Sequence, residues 1–347
     1  MNDEAATLLY RYNPYLVIFP HEPKTRTRPG ARGPGTAGWG DYHPCSAEFL
    51  LARAYHRAMP PPFELPSLFR PWTPLPRTGL AVLRLMLGSV TPEETAGWEL
   101  DVADLPSQSE ERAWENYADL LQERDDPYER VVYGRYAGGG RPALQYWYLY
   151  LYNDFRNNHE CDWEMATIAL SPEGQPLRMG LSSHYGGTQR EWNQIQMIGE
   201  RPLVYAARGS HANYFAYNPN GIPVLELHSD SNAPLPLAPV SWLLQHAPVL
   251  RRWRDQPAAD PQRDHGARPE HVGVRIDLAV RVMPANIDQP ADSPWWWLRY
   301  RGRWGSSRPR IAGTVGISTP WGMGGQDPRW RDPAAWVDGC RSFAKRN

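Results

Sequence analysis

The sequence predicts a mainly β protein with helical decorations, built on an antiparallel β-sandwich-like core with long Pro- and Gly-rich loops. Three observations carry this. The 36 prolines and 29 glycines in 347 residues cut the chain into short elements, which favours strands and turns over long helices. Six runs in the middle of the chain (131–137, 144–152, 163–170, 179–184, 203–207 and 223–227) are short, β-branched or aromatic, and bounded by turn residues. The 16 tryptophans, 18 tyrosines and 7 phenylalanines supply the apolar surface of a large core, which excludes a disordered polymer.

Residues 1–40 read as an irregular lead with one strand at 12–19 and a loop at Pro29-Gly30-Ala31-Arg32-Gly33-Pro34-Gly35. Residues 48–58 and 110–124 have helical composition; in the second, Trp114, Tyr117, Leu120 and Leu121 share one face. Between them, 60–76 carries seven prolines and reads as an extended excursion. After the central strands, 241–254 reads as a helix that Pro248 kinks or ends. A Pro-, Asp- and Arg-rich loop (256–269) and a strand at 272–282 follow, then a tail rich in glycine and tryptophan that includes Trp295-Trp296-Trp297. The expected organisation is one domain, 1–347. In it a lead of about 1–130 packs on a sheet system at about 131–285, and an aromatic segment, 286–347, closes the chain.

Charge and composition remove several function classes. With 37 basic and 38 acidic residues the net charge is −1, which offers no electrostatic footprint for nucleic acid. Lys24 and Lys345 are the chain's lysines and both lie near the termini, so lysine-based chemistry in the core is excluded. No run reaches the ~20 apolar residues of a membrane span, and the most apolar one, 79–90, is interrupted by Arg84. The acidic start (Asp3, Glu4) lacks the pattern of a secretory signal. Cys45, Cys161 and Cys340 form no CxxC pair. The expectation is a soluble, cytoplasmic protein that takes a small-molecule ligand or substrate.

The stretch 144–170, LQYWYLYLYNDFRNNHECDWEMATIAL, carries the chemistry. Strand alternation puts Tyr146, Tyr148, Tyr150, Tyr152 and Asp154 on one face and Trp147, Leu149 and Leu151 on the other. The tyrosine face is either a wet, aromatic-walled pocket, with Tyr150 and Tyr152 contacting a cofactor or ligand, or a second packed face. Asp154, His159, Asp162 and Glu164 then fall within eleven residues. Carboxylates so close repel unless a cation lies between them. Three carboxylates and an imidazole suit Mg²⁺, Ca²⁺ or Mn²⁺, or Fe²⁺ if further histidines join. The competing reading is a solvated turn or an ion pair with Arg156.

His211, just past the run 203–207, is a further ligand or an acid/base group, and with Glu164 it forms the candidate catalytic pair. His184 is a weaker candidate. Ser210 stands outside any G-x-S-x-G elbow. Arg190 and Arg208 are candidate contacts for an anionic ligand. Haem held by a lone His, Cys or Tyr stays open, because such sites leave no motif.

His159-Glu160-Cys161-Asp162-Trp163-Glu164 resembles the HEGDWE or HVGDWE signature of the vacuolar-protein-sorting-related family. More distantly it resembles the HRHDWE motif of necrosis- and ethylene-inducing-peptide-like proteins. Three further segments resemble the sorting-related family: Asp41-Tyr42-His43-Pro44-Cys45-Ser46-Ala47-Glu48-Phe49, Arg208-Gly209-Ser210-His211-Ala212-Asn213-Tyr214-Phe215 and Tyr300-Arg301-Gly302-Arg303-Trp304-Gly305. Cys161 departs from the usual Gly or His. The toxin-like resemblance implies a β-sandwich holding a divalent cation through Asp154, His159, Asp162 and Glu164.

Two functions follow as expectations. The first is an intracellular metal-dependent enzyme acting on a small apolar or aromatic molecule, an oxygenase or hydrolase, with the two reactions not separable on the residues. The alternative is a cation-dependent protein that binds a sugar or lipid head group without turnover.

Overall fold

The computed structural model describes residues 3–19, 43–51, 54–58, 88–102, 130–153, 159–183, 186–223, 254–286, 288–290, 292–305 and 328–342. In chain order the elements are α1 (Asp3–Arg11), β1 (Tyr15–Ile18), α2 (Ala47–Leu51), β2 (Ala54–Ala58), β3 (Trp98–Val102), β4 (Val131–Ala137), β5 (Ala143–Asn153), β6 (His159–Leu170) and β7 (Pro176–Ser183). There follow β8 (Gly186–Glu191), β9 (Met197–Ile198), β10 (Arg201–Ala206), β11 (Asn213–Tyr214), β12 (Ile222–Pro223), β13 (Arg254–Asp255), β14 (Val274–Ile276), β15 (Ala279–Val282) and β16 (Arg303–Trp304). The last are α3 (Pro328–Arg331), α4 (Pro333–Gly339) and β17 (Arg341–Ser342).

The protein is mainly β. Its largest sheet runs β15-β4-β5-β6-β7-β8-β17, antiparallel from β4 to β8 and parallel at both edges. A smaller sheet runs β11-β10-β1-β14, with β1 and β10 parallel and β9 paired to β10. Both sheets are therefore mixed. The parallel pairs join strands far apart in sequence, as parallel pairing requires a long crossover.

The two sheets face each other. Tyr146, Tyr148, Tyr150, Ala166 and Ile168 of the large sheet pack on Leu16, Ile18, Val204 and Ile276 of the small one. The opposite face of the large sheet, with Tyr133, Trp147, Leu149, Trp163 and Met165, is covered by Phe49, Leu50, Trp296, Trp297, Trp304 and Trp330. A strand buried on both faces tends to carry apolar or aromatic side chains in near-continuous runs. That explains why β5 reads as a continuous run, and the tyrosine side is a packed face with Tyr146, Tyr148 and Tyr150 fully buried.

The tryptophan layer is fastened by Glu48 on α2. Its carboxylate accepts from Tyr133 Oη (2.9 Å), Arg281 Nη1 (3.1 Å) and Trp297 Nε1 (3.2 Å). Trp295, Trp296 and Trp297 lead into a 3-10 turn, Trp296–Arg299, so Trp296 and Trp297 are buried together while Trp295 packs at the margin. Glu48→Gln removes the charge from three donors at a half-exposed site. The expected loss is about 1–2 kcal/mol in urea denaturation, against no change for Glu93→Gln.

Several boundaries differ from expectation. The lead begins with helix α1, whose apolar Ala5 and Leu9 pack inward. Within the expected helix at 48–58, α2 accounts for residues up to Leu51, and 54–58 form strand β2, which pairs with β3. The single strand at 272–282 divides into β14 and β15, which serve different sheets. β8 was not expected, because Gly186 to Glu191 is polar and takes its structure from pairing with β7. The helical readings at 110–124 and 241–253, the excursion at 60–76 and most of the strand at 223–227 lie outside the described residues. No helix among the described residues is long and apolar enough to cross a membrane.

Candidate functional site

β5 and β6 pair Tyr148 with Glu164 and Tyr150 with Asp162. Cross-strand partners share a face, so the motif carboxylates stand beside the tyrosines, on the side of the large sheet that meets the small one. Trp163 between them points the other way, edge-on to Trp304 at 5.3 Å and near Trp297 and Tyr133. The DWE triplet thus divides its work by alternation: two acids face the site and the indole anchors their strand in the tryptophan layer.

Cys161 adopts φ 55°, in the left-handed region. Leu151 and Cys161 make no ladder pair, while Tyr150–Asp162 and Tyr152–Glu160 do. A left-handed residue is easiest for glycine, which accounts physically for Gly in the signature this hexapeptide resembles. Here a cysteine takes that conformation and buries its thiol in the tryptophan-layer core.

His211 comes from the turn after β10. The turn closes through Ala207 N to Ala212 O (2.9 Å) and His211 N to Ala207 O (3.1 Å), with Gly209 at φ 73° and His211 at φ 55°. That geometry lays the imidazole on Tyr150, ring centroids 4.0 Å apart and 6° from parallel. Nδ1 is 3.3 Å from Asp162 Oδ2. Asn153 Nδ2 donates to the same oxygen (2.7 Å) and reaches Ser210 O at 3.4 Å. His211→Ala is expected to cost about 2 kcal/mol through the lost stack and the loosened Asp162, read by chemical denaturation.

Glu164 is fixed from the opposite side. Ser182 Oγ donates a short hydrogen bond to Oε2 and accepts from Met165 N at 2.6 Å. Burial first, and the charge of Asp162 second, push the Glu164 carboxyl well above the usual range. Behind the pair, buried Asp255 accepts from Ser210 Oγ at 2.7 Å and from Tyr214 Oη. Burial and the Asp255 charge raise the Tyr214 hydroxyl.

The structure therefore brings Asp162, Glu164, His211 and Tyr150 into one neighbourhood. Asp154 and His184 lie outside the described residues, and of His159 and Tyr152 only the backbone is described, at the start of β6 and the end of β5. Arg208 lies over Phe19 (4.1 Å) and donates to Glu270 O (2.5 Å). Arg190 lies 5.1 Å from the Phe215 ring. Asn153, Ser182, Tyr214 and Asp255 belong to the site but were not among the sequence candidates. Asn153 and Tyr214 lay inside quoted motifs, whereas Asp255 carries no local signal.

No three His, Cys, Asp or Glu side chains converge on one point among the described residues. The fit to a divalent cation therefore rests on the donor chemistry of Asp162 and Glu164, two acidic groups on one face with one of them deeply buried.

No family model matches the chain. Over 169 residues it is 24% identical to vacuolar protein sorting-associated protein 62 of Saccharomyces cerevisiae, covering 44% of this chain and 31% of that protein. The chain thus spans about a third of the yeast protein. Among solved structures it is similar to Necrosis and Ethylene inducing Protein 2 from the causal agent of cocoa's Witches Broom disease, with 23% identity, a TM-score of 0.23, and coverage of 25% of this chain and 45% of that one. It is also similar to NLPPya in complex with glucosamine, with 19% identity, a TM-score of 0.22, and coverage of 25% and 44%. Both resemblances named from the motifs thus recur, each over part of the chain.

Proposed function

We propose that the protein is a divalent-cation-dependent binding protein for a sugar or lipid head group, acting without turnover. The observation that carries this is the uneven exposure of the site. Glu164, His211 and Tyr150 are almost fully buried, and Asp162, though also buried, keeps 11% of its side chain exposed. A cation held by Asp162 and Glu164, with Asp154 and His159, would be open to solvent on the Asp162 side alone, where hydroxyl or phosphate oxygens of a ligand can complete its coordination. The tyrosine face that an apolar substrate would need is filled by the small sheet, which favours binding over the enzymatic reading. The yeast relative is named for association with protein sorting rather than for a reaction, which accords with this.

Within the site, Ser182 holds the Glu164 carboxyl in place. Asn153 and His211 orient Asp162, and the Tyr150 stack keeps the imidazole from swinging away. Preorganisation of this kind lowers the cost of assembling a cation shell. The test is retention on immobilised sugars and on lipid vesicles, with Ca²⁺, Mg²⁺ or Mn²⁺ and then with chelator. The expected result is binding that needs a cation and that Ca²⁺ or Mg²⁺ supports alike. Binding indifferent to chelator overturns the reading, and turnover requiring a redox metal returns weight to the enzyme.

A further inference from the structure

We propose that Asp255 is a positioning residue of the cation site, a role that rests on the reading above. It fixes the turn that orients Asp162, and its charge biases the site toward ions of higher valence. Asp255 is fully buried and enters on β13, paired with Ile222 of β12. The residues after it are bonded to β10 and the turn beyond it. Arg208 N donates to Gln256 O (2.9 Å) and Ala258 N to Ala206 O (3.0 Å). The carboxylate is thus delivered by a segment tied to the same turn that carries His211.

Both carboxylate oxygens are engaged. Oδ1 accepts from Ser210 Oγ (2.7 Å) and Oδ2 from Tyr214 Oη. Ser210 O lies 3.4 Å from Asn153 Nδ2, which donates to Asp162 Oδ2 at 2.7 Å. The next residue, His211, meets that oxygen at 3.3 Å. Asp255 therefore acts on Asp162 through Ser210, and from there through Asn153 and His211.

Its charge also reaches the site directly. Burial, then Asp162 and, more weakly, Asp255 hold the Glu164 carboxyl above its usual range. The Tyr214 hydroxyl is raised by burial, by Asp255 and, last, by Glu164. Buried charges are screened little by salt, and the attraction each exerts on a cation is proportional to the cation's valence. A buried carboxylate behind Asp162 and Glu164 thereby favours divalent over monovalent ions.

The test is calorimetric titration of the full chain and of Asp255→Asn with Ca²⁺ and Tb³⁺, with near-ultraviolet circular dichroism to check the fold. The two ions are close in size and differ in charge. The expected loss is about tenfold for Ca²⁺ and, because its logarithm scales with valence, about thirtyfold for Tb³⁺. Ser210→Ala keeps the charge and cuts the hydrogen bond, so it is expected to weaken both ions by the same factor. Equal losses for the two ions in Asp255→Asn, or none, overturn the proposal, as does the same valence dependence in Ser210→Ala. Failure of the unaltered chain to bind either ion refutes the cation reading itself. Should Asp255→Asn not fold, paramagnetic shifts from Tb³⁺ bound to the unaltered chain give the distance directly. Asp255 is expected within about 10 Å of the ion, inside the screening length of ordinary buffers, and a longer distance overturns the proposal.

Discussion

Asp162→Asn combined with Glu164→Gln is expected to abolish the stabilisation that added Ca²⁺, Mg²⁺ or Mn²⁺ confers on the unaltered chain. A ligand at a hundredfold its dissociation constant stabilises by about 2.7 kcal/mol. In a chain of this length that raises the melting temperature by about 4 °C. Both replacements keep the shape of the side chains and remove the charges a cation needs. Melting curves with each metal and with chelator check this, and a variant that still gains stability from the cation would place the ion elsewhere.

Without metal the same change works in the opposite direction. The folded state holds the Glu164 proton more tightly than the unfolded chain, whose carboxyl titrates near 4.5. Stability from this group is full below that value and declines as pH rises toward the folded-state pKa, at up to about 1.4 kcal/mol per pH unit. Glu164→Gln lacks this slope. Urea denaturation in chelator should therefore show the variant gaining on the parent as pH rises above 4.5, and parallel profiles would contradict the buried placement of Glu164.

Gly305→Ala is the second large effect. Gly305 has φ 84°, and a Cβ there would lie 2.6 Å from both the carbonyl carbon and the Cβ of Glu160. The left-handed backbone costs an alanine about 1–2 kcal/mol, and the collision with the motif strand adds about 1–3 kcal/mol. The expected loss is about 2–5 kcal/mol in denaturation, with a weaker cation response because Glu160 lies two residues before Asp162. Full stability in the variant would mean that the GRWG segment does not pack against the HECDWE strand. This contact gives the C-terminal motif its physical meaning: Trp304 supports Trp163 from one side while Gly305 lets the chain pass close to Glu160.

Much of the central sheet was legible along the chain. β4 matches its expected bounds of 131–137, and β5, β7 and β10 fall within a few residues of theirs. Local alternation and bounding turns suffice there, because each strand pairs with its neighbour in sequence. The acids of the DWE triplet were readable as a same-face pair for the same reason, since the period of a strand depends on nothing distant.

What required the tertiary structure was everything decided by a second element. Whether the tyrosine face was wet or packed depended on β1, β10 and β14, which cover it from remote parts of the chain. Asp255 reaches the site through Ser210 and Tyr214, and no spacing rule connects residues 41 or more positions apart. The stack of His211 on Tyr150 arises from a left-handed turn whose geometry no side-chain pattern announces. The sequence by itself determined a β protein with paired acids on one strand face, because strand periodicity is local. Only tertiary packing decided that both acids are buried, what orients each, and that solvent still reaches Asp162, because burial and electrostatics are properties of the whole assembled core.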